Sequence, residues 1–520
     1  MSHHPSKPSV LDPMLVVVAI VSATLIFPFA FAPLTREASL TALNGSALVR
    51  GTHDVSNCVM DGEVGAALLA AATLTFGPER PAETLAAAFA LWHWMTSLFL
   101  YLAARKVFSK GGALAALVYA ATIVAGGARS VFSPVALAAL PVVLALEFAA
   151  ADRKAARVGF GFFVGVGIAF ARETVVVVSA YAYDQFRRNA DRPNDERNRF
   201  GAWELAGVLA GLCAVIALAG QGRDTFEALR AIVAAHSRAA FAPFDRMLTS
   251  ALVLVAVATW IALGAKTAAE ASSRRLVAGG AIALWLASCT RPPVDLAALL
   301  PLAGLGALAV AGAYSALMRT APFSRATRWS APLICAGILI ASPLPGAIRS
   351  VEFIGPYLRG EDVVTYHGRF FEHATDFDAA LMVDAANWIA GNTGENDVVA
   401  GWGSEPGLFL YSERAAMCGF TTIVPILEGR PGEEGRFARC LADERPRVIA
   451  AVRNPRNWSG GFTLSRGYGI SQPEVIRSVI RKEYRGVQRV GGFDLYLRND
   501  LSPKHVPLAT IYELNVPREP

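Results

Sequence analysis

Long apolar runs alternate with short polar connections over the first two thirds of the chain. Several runs are long enough to cross a bilayer, which takes about 20 helical residues at a rise of about 1.5 Å each. Most of them lie before residue 349, and the remaining residues have the mixed pattern of a soluble domain. The pattern predicts a membrane module at residues 1–348 and a soluble α/β domain at residues 349–520.

The first run, residues 13–33, lacks a small-residue cleavage site of the A-x-A type. It is therefore predicted to be a retained helix rather than a signal peptide. Eight further runs are predicted to be single spans. They are residues 82–104, 112–125, 131–150, 203–220, 247–263, 276–288, 296–317 and 331–344.

The run at residues 158–183 is too long for an ordinary single span and has Arg172 and Glu173 near its middle. One span would place both charges near the bilayer centre, which is costly. Two short spans that fold back at these residues would place the charges at an interface. The choice decides on which side of the membrane the arginine-rich connection 184–200 lies.

With two spans, this connection lies on the same side as the basic connections near residues 105–110, 153–157, 266–275 and 319–328. The positive-inside rule therefore favours two spans, about eleven transmembrane helices in total, and a cytoplasmic N-terminus. The first loop, residues 34–80, and the C-terminal domain are then external. Residues 63–77 of that loop are too short to span and are predicted to form a helix along the membrane surface.

The tail combines helical and strand patterns. Residues 379–390 and 435–443 are predicted helices, residues 397–400 and 447–452 are predicted buried strands, and residues 485–497 are a predicted hairpin. Neither GxGxxG nor a Walker motif occurs there. The tail is thus a small α/β unit without a nucleotide-binding signature.

Composition excludes an ordinary cytosolic enzyme and a disordered protein. Of 520 residues, 54% are hydrophobic and 17% are charged, and the mean hydropathy is +0.40, whereas soluble domains carry about 25% charged residues. The net charge of +6 lies mostly in short connections between apolar runs. The positive-inside rule accounts for it, so nucleic acid is not predicted as a partner.

The six cysteines are scattered and form neither a CxxC motif nor a Cys/His cluster, so no metal site is predicted from them. Cys418 and Cys440 can pair if their domain faces an oxidising compartment. Within the span 82–104, aromatic packing of Trp92, His93 and Trp94 is favoured over ligand binding.

This layout resembles the GT-C superfamily of membrane glycosyltransferases, in particular the bacterial aminoarabinose-transferase-like and protein O-mannosyltransferase-like enzymes. The resemblance rests on the topology and on two segments. These are REASLTALNGSALVRGTHDVSNCVMDGEVGAALLAAATLTFGPE and ANWIAGNTGENDVVAGWGSEPGLFLYSER. It implies an enzyme that takes sugars from polyprenyl-phosphate donors at the outer membrane face.

Two positions depart from the family pattern. The first loop of the family usually opens with Asp-Glu, whose aspartate is the catalytic or metal-linked carboxylate, whereas this chain has Arg36-Glu37. A second family aspartate often follows the third span, where this chain reads GGARSVFSP. Whether a divalent cation takes part is therefore left open.

Glycosyl transfer needs a base for the acceptor hydroxyl and cations for the departing phosphate. The resemblance ranks Glu37 first as the catalytic carboxylate, and Asp54 is the second candidate. If Arg36 lowers the pKa of Glu37, Asp54 is the better base. His53, Asp61 and Glu63 of the same loop are candidate substrate-binding residues; alternatively, the loop is simply a solvated polar segment.

Arginine suits phosphate because its planar guanidinium donates two parallel hydrogen bonds. The candidates near predicted external interfaces are Arg129, Arg172, Arg238 with the neighbouring His236, and Arg291. Each of these arginines can alternatively anchor a helix end by snorkelling.

The topology predicts a multi-pass membrane protein, and the resemblance implies a glycosyltransferase of the bacterial inner membrane. Its partners are a polyprenyl-phosphate sugar donor, membrane lipid and a cell-envelope glycan, lipid or protein acceptor. The alternatives are a GT-C-like protein that binds lipid or assembles with a partner without catalysis, a transporter or flippase, and a glycan polymerase or ligase with a diphosphate-linked donor.

Overall fold

The structure, a computed structural model, falls into two compact units. Unit 1 consists of Met1–Ala32 and Asn44–Pro356, and unit 2 of Pro33–Leu43 and Tyr357–Pro520. The described residues are 12–32, 34–49, 64–77, 80–108, 111–125, 127–149, 153–190, 202–218, 268–288, 302–320, 359, 379–403, 405–421, 423, 426, 432–452, 473–490 and 493–501.

The described part of the chain before residue 321 is almost entirely helical. Its α-helices are α1 (Pro13–Ile26), α2 (Arg36–Val49), α3 (Val64–Leu74), α4 (Pro81–Val107), α5 (Gly112–Ala125), α6 (Gly127–Val131), α7 (Ala139–Ala149), α8 (Lys154–Phe170), α9 (Val177–Ala190), α10 (Ala202–Leu218), α11 (Ala268–Ser288) and α12 (Leu302–Thr320).

Two helical segments of the described chain have both the length and the hydropathy needed to cross a membrane, Pro13–Phe31 and Pro81–Val107. Other apolar helices are shorter, among them Gly112–Val124 and Ala303–Ala316. The predicted spans 247–263 and 331–344 lie outside the described residues. The helix predicted for residues 63–77 of the first loop is present as α3, and its position along the membrane surface stays a prediction.

The chain reverses direction at Arg172 and Glu173, as the distribution of charge predicts. Helix α8 ends at Phe170, and a 3-10 helix at Arg172–Val176 leads into α9. The rings of Phe160 in α8 and Tyr181 in α9 stack with their centroids 4.0 Å apart. Such a contact requires the two helices to lie side by side, so the hairpin is confirmed.

The predicted span 131–150 is wrong as a single helix. Helix α6 ends at Val131, a 3-10 helix covers Pro134–Ala138, and α7 follows. Pro134 lacks a backbone N–H and cannot continue the hydrogen-bond ladder of a preceding helix, which explains the break.

Two charged segments that the sequence predicts to be connections, near residues 184–200 and 266–275, are partly helical in the structure. Helix α9 continues to Ala190 and α11 begins at Ala268. The fully buried Asp184 explains both differences, because its carboxylate accepts from Arg275 Nε at 2.7 Å and from Ser272 Oγ at 2.8 Å. A buried carboxylate satisfied in this way can lie inside packed helices.

Helices α8 and α10 pack with almost no side chain between them. A Cβ atom built on Gly161 would lie 2.1 Å from the carbonyl oxygen of Glu204, and one on Gly165 would lie 2.2 Å from that of Val208. Glycines four residues apart thus bring the two backbones into direct contact.

Unit 2 contains a five-stranded sheet with the order β2-β1-β3-β5-β4. Strand β1 is parallel to β2 and β3, whereas β5 is antiparallel to β3 and β4. The described elements of the tail are α13 (Ala379–Asn392), β1 (Val398–Trp402), α14 (Gly407–Ser412), β2 (Ala415–Ala416), α15 (Glu433–Glu444), β3 (Val448–Val452), α16 (Glu474–Glu483), β4 (Tyr484–Val490) and β5 (Phe493–Arg498).

The tail elements predicted from the sequence are confirmed in type and order. Two apolar clusters hold them together, one around Trp402 and Phe437 and the other around Trp388 and Val399. Two residues at the start of the first loop also contact the tail. The Leu34 N–H donates to Tyr411 Oη at 3.0 Å, and Leu43 packs on the second cluster.

Cys418 and Cys440 form a disulfide with their Cα atoms 6.1 Å apart. It links the 3-10 helix Met417–Gly419 to α15, and the Cys418 N–H donates to Glu444 Oε2 at 3.1 Å. The pairing that the sequence left conditional is therefore present.

Replacing Cys440 with serine is expected to lower the free energy of unfolding of unit 2 by about 3 kcal/mol, because a bridge over this loop length restricts the unfolded chain. Hydrogen exchange of α15 and β3 in the full-length protein measures the change. Cys213→Ser, at the exposed free cysteine of α10, is the matched control. Equal exchange in wild type and Cys440→Ser would contradict a stabilising bridge.

Candidate functional site

The side chains predicted to form the site lie outside the described part of the structure. For Glu37 in α2, Arg129 in α6 and Arg172 in the 3-10 helix, the backbone is described. The other candidates lie wholly outside the described residues. They are His53, Asp54, Asp61, Glu63, His236, Arg238 and Arg291.

Helix α3 begins directly against the end of α8. A Cβ atom built on Gly65 would lie 2.5 Å from the carbonyl oxygen of Ala169 and 2.9 Å from the backbone nitrogen of Phe170. Only a glycine permits this approach. The approach fixes the start of α3 against the last turn of α8.

The other end of the first-loop connection is anchored at the same place. Leu48, near the end of α2, packs in one buried cluster with Ala67, Leu68 and Ala169. A Cβ atom on Gly45 would lie 2.6 Å from Ala70 Cβ. The last turn of α2 and the first turns of α3 therefore pack together against the end of α8.

The fully buried side chain of His93 is hydrogen-bonded to the last residue of α6, the helix that carries Arg129. His93 Nε2 lies 2.9 Å from the carbonyl oxygen of Val131, and His93 Nδ1 lies 2.8 Å from Tyr119 Oη. The carbonyl can only accept, so Nε2 carries the proton and Nδ1 accepts from the tyrosine. His93 is a structural residue, as its packing environment predicts, and it holds α4 against the end of α6, two residues beyond Arg129.

The sequence did not reveal a buried ion pair at the other end of α8. Arg157 donates from Nε to Glu204 Oε1 at 2.6 Å and from Nη2 to Glu204 Oε2 at 3.0 Å. Tyr181 Oη donates to Glu204 Oε1 at 3.2 Å. The sequence shows Glu204 as an acid in the first turn of an apolar helix. That position alone does not identify Arg157 and Tyr181 as its partners. These bonds join α8, α9 and α10 and identify no reacting group.

Two polar groups of the tail, Asp500 and Tyr484, are structural as well. The pKa of Asp500 is lowered because Arg498 Nε donates to its carboxylate at 2.7 Å. Burial raises the pKa of Tyr484, whose hydroxyl donates to the Pro446 carbonyl at 2.9 Å. At neutral pH, Asp500 is therefore ionised and Tyr484 is neutral, and both are engaged in fixed hydrogen bonds.

Within the described residues, no group of three or more His, Cys, Asp or Glu side chains is placed to hold a metal ion. The acids of the connection between α2 and α3 lie outside that set. A divalent cation, if the protein uses one, would therefore have to be held by those acids.

No family model and no curated protein matches the sequence. Among solved structures, the chain is similar to ArnT from Cupriavidus metallidurans bound to undecaprenyl phosphate, with a TM-score of 0.56, 14% identity and coverage of 93% of this chain and 97% of that one. ArnT from the same organism in the apo state gives a TM-score of 0.52 with the same identity and coverage.

The likeness extends over nearly the whole of both chains, so it includes the helical module and the α/β tail together. At this level of identity it concerns the fold. The chain therefore has the fold of ArnT from Cupriavidus metallidurans, as the resemblance stated from the sequence predicts.

Proposed function

We propose that this protein is a membrane glycosyltransferase that moves a sugar from a polyprenyl-phosphate donor to a cell-envelope glycan, lipid or protein. The proposal is supported by the ArnT-like fold, one example of which is bound to undecaprenyl phosphate. The observation that carries it is this likeness of fold, which covers 93% of this chain and 97% of the ArnT chain.

The proposed reaction is an inverting displacement. An acceptor oxygen forms a bond to the anomeric carbon as the bond between that carbon and the phosphate oxygen breaks. The acceptor proton passes to a carboxylate, and polyprenyl phosphate departs with its charge stabilised by arginine. Glu37 and Asp54 are the candidate bases, and Arg172 is a candidate phosphate ligand.

The remaining candidates are proposed to bind donor or acceptor. They are His53, Asp61, Glu63, Arg129, His236, Arg238 and Arg291. A divalent cation is a further proposal, and loss of activity on chelation with recovery on adding magnesium or manganese would establish it.

The disulfide supports an oxidising environment for the tail, because such bonds persist in secreted and periplasmic domains. Together with the positive-inside pattern, it supports a bacterial inner-membrane protein with about eleven spans, a cytoplasmic N-terminus and a periplasmic tail.

The test uses full-length protein in lipid nanodiscs and a panel of polyprenyl-phosphate sugars, with mass spectrometry following loss of the sugar from the lipid. Wild type is expected to consume one donor. Glu37→Gln or Asp54→Asn is expected to slow consumption by about 100-fold or more, the usual contribution of a general base. Glu83→Gln, at an exposed acid in the first turn of α4, is the matched control and should retain wild-type activity.

An equal loss in Glu83→Gln would indicate a general effect of the substitution rather than a catalytic role. Binding of polyprenyl phosphate without consumption of any donor would overturn catalysis and favour a lipid-binding protein of the same fold. Neither binding nor consumption would contradict the proposal as a whole.

A further inference from the structure

A cavity of about 520 Å³ lies between α4 and α7 in unit 1. Its volume falls within the range of about 300–1,000 Å³ that ligand sites in proteins usually occupy. Both helices contribute their C-terminal turns. The cavity is therefore at the end of α7 that leads into the start of α8, whereas Arg172 follows the end of α8.

Helix α8 has 17 residues and is about 25 Å long. The cavity and the bend at Arg172 lie at opposite ends of it, so the cavity is not part of the candidate site for the donor. Its ligand must therefore be inferred from the residues that line it.

The walls of the cavity are apolar. Phe99, Leu102 and Ala103 line it from α4, and Val143 and Leu144 line it from α7. On each helix the lining positions recur at intervals of three or four residues, so one face of each helix forms a wall. The small side chain of Ala103 leaves open space that a larger residue at this position would fill.

Phe148 completes the α7 wall and is held in place from behind. Its ring stacks on Phe163 of α8 with a centroid distance of 5.4 Å. A Cβ atom on Gly159 would lie 2.6 Å from Phe148 Cδ1. The absence of a side chain at Gly159 thus makes room for the ring that forms the wall.

Charged groups stand at one end of this apolar cavity. Lys106 forms an ion pair with Glu147 across it, and Arg105 pairs with Asp12. The lysine and arginine side chains remain 68% and 50% exposed. An ammonium has three donors and a guanidinium five, so both cations keep donors for a further anion.

We infer that this cavity binds an anionic membrane phospholipid, with an acyl chain between α4 and α7 and its phosphate at Arg105 and Lys106. The slot ends in two ion pairs, and the Arg105 and Lys106 cations keep donors beyond those that Asp12 and Glu147 accept. An apolar chain that ends in a phosphodiester matches this combination, because its oxygens accept from the remaining donors. The surrounding sequence adds further basic residues, with Lys110 and Arg153 close in the chain. Basic pockets between membrane helices are a recurrent form of anionic lipid site.

The lipid has a structural role in this inference. It covers the apolar faces of α4 and α7 and bridges the ends of the two helices. The inference depends on the membrane fold and not on the proposed transferase activity, so the two can fail separately.

The experiment measures lipid retention by native mass spectrometry of the full-length protein. The protein is exchanged from nanodiscs of equal phosphatidylglycerol and phosphatidylcholine into detergent. Wild type is expected to keep one phosphatidylglycerol in preference to phosphatidylcholine. Arg105→Gln and Lys106→Gln should each reduce that preference about fivefold, in line with the usual contribution of one cation to anionic lipid binding.

Two further variants separate the cavity from general surface effects. Ala103→Phe fills the cavity and is expected to abolish retention, whereas Ala87→Phe at an exposed position of the same helix should leave it unchanged. Lys154→Gln, a cation of α8 that does not line the cavity, should also retain the lipid. Thermal unfolding of each variant in detergent verifies that the fold is intact.

Equal retention of the two lipids by wild type would overturn the inference. Retention by Ala103→Phe at the wild-type level would also overturn it, because the cavity would then not be the binding site. Stoichiometric displacement of phosphatidylglycerol by added polyprenyl phosphate would assign the cavity to the donor lipid instead.

Discussion

Replacing Gly165 with alanine is expected to prevent the native packing of α8 on α10. The added Cβ atom would lie 2.2 Å from the carbonyl oxygen of Val208, a distance that carbon and oxygen atoms do not tolerate. Because that oxygen belongs to a helix backbone, the clash cannot be relieved by a change of rotamer. The two helices must separate along their whole contact.

Glycines of both helices take part in the contact, which increases the free-energy cost of moving the helices apart. Cβ atoms built on Gly207 and Gly211 of α10 would lie 2.2 Å from Val158 O and 2.1 Å from Phe162 O of α8. Since each helix lacks side chains where the other approaches, a shift of one opens gaps throughout. We expect a loss of about 3 kcal/mol or more, the upper end for an overpacked core.

Thermal unfolding in detergent and the yield of monodisperse protein measure this effect. Gly280→Ala in α11 is the matched control, because its Cβ atom would meet only Leu305 Cδ1 at 3.4 Å. That substitution should leave stability unchanged or raise it by up to about 1 kcal/mol, since alanine restricts the unfolded chain. If Gly165→Ala unfolds at the wild-type temperature, α8 and α10 are not in backbone contact.

The sequence predicts the features of this fold that depend on charge and on local periodicity. The reversal at Arg172 follows from the cost of charges in a bilayer and from the positions of the basic connections. The helices and strands of the tail follow from short apolar runs with polar boundaries. In each case the physical cause acts over neighbouring residues and is visible in the printed sequence.

Features that depend on a residue far away in the chain cannot be predicted from the neighbouring sequence. Asp184 was placed in a connection, because an acid next to an arginine-rich segment looks solvated until Arg275 and Ser272 are brought beside it. The glycines of α8 and α10 likewise acquire their meaning only when the helices meet. For the site, the backbone shows only that α3 begins against the end of α8, and the roles of the predicted acids and arginines stay predictions.

Replacing Glu204 with alanine is expected to destabilise unit 1 by about 3–5 kcal/mol. The Glu204 side chain is 3% exposed and that of Arg157 is 11% exposed, and the carboxylate accepts two hydrogen bonds from the guanidinium. Removing one partner of a buried pair leaves the other charge without compensation in a medium that solvates it poorly. Glu83→Ala, which removes an exposed ion pair with Arg80, should cost less than about 1 kcal/mol.

The double variant Arg157→Met, Glu204→Leu distinguishes the loss of a favourable pair from the burial of a single charge. Removing both charges also removes both desolvation penalties, and apolar replacements of buried pairs are often neutral. We therefore expect the double variant to unfold well above Glu204→Ala. It should lie about 1 kcal/mol below wild type, because the buried Tyr181 hydroxyl loses its acceptor on Glu204. If it is instead as unstable as the sum of its single variants, the side chains act independently, and the hydrogen bonds between Arg157 and Glu204 do not hold α8 against α10.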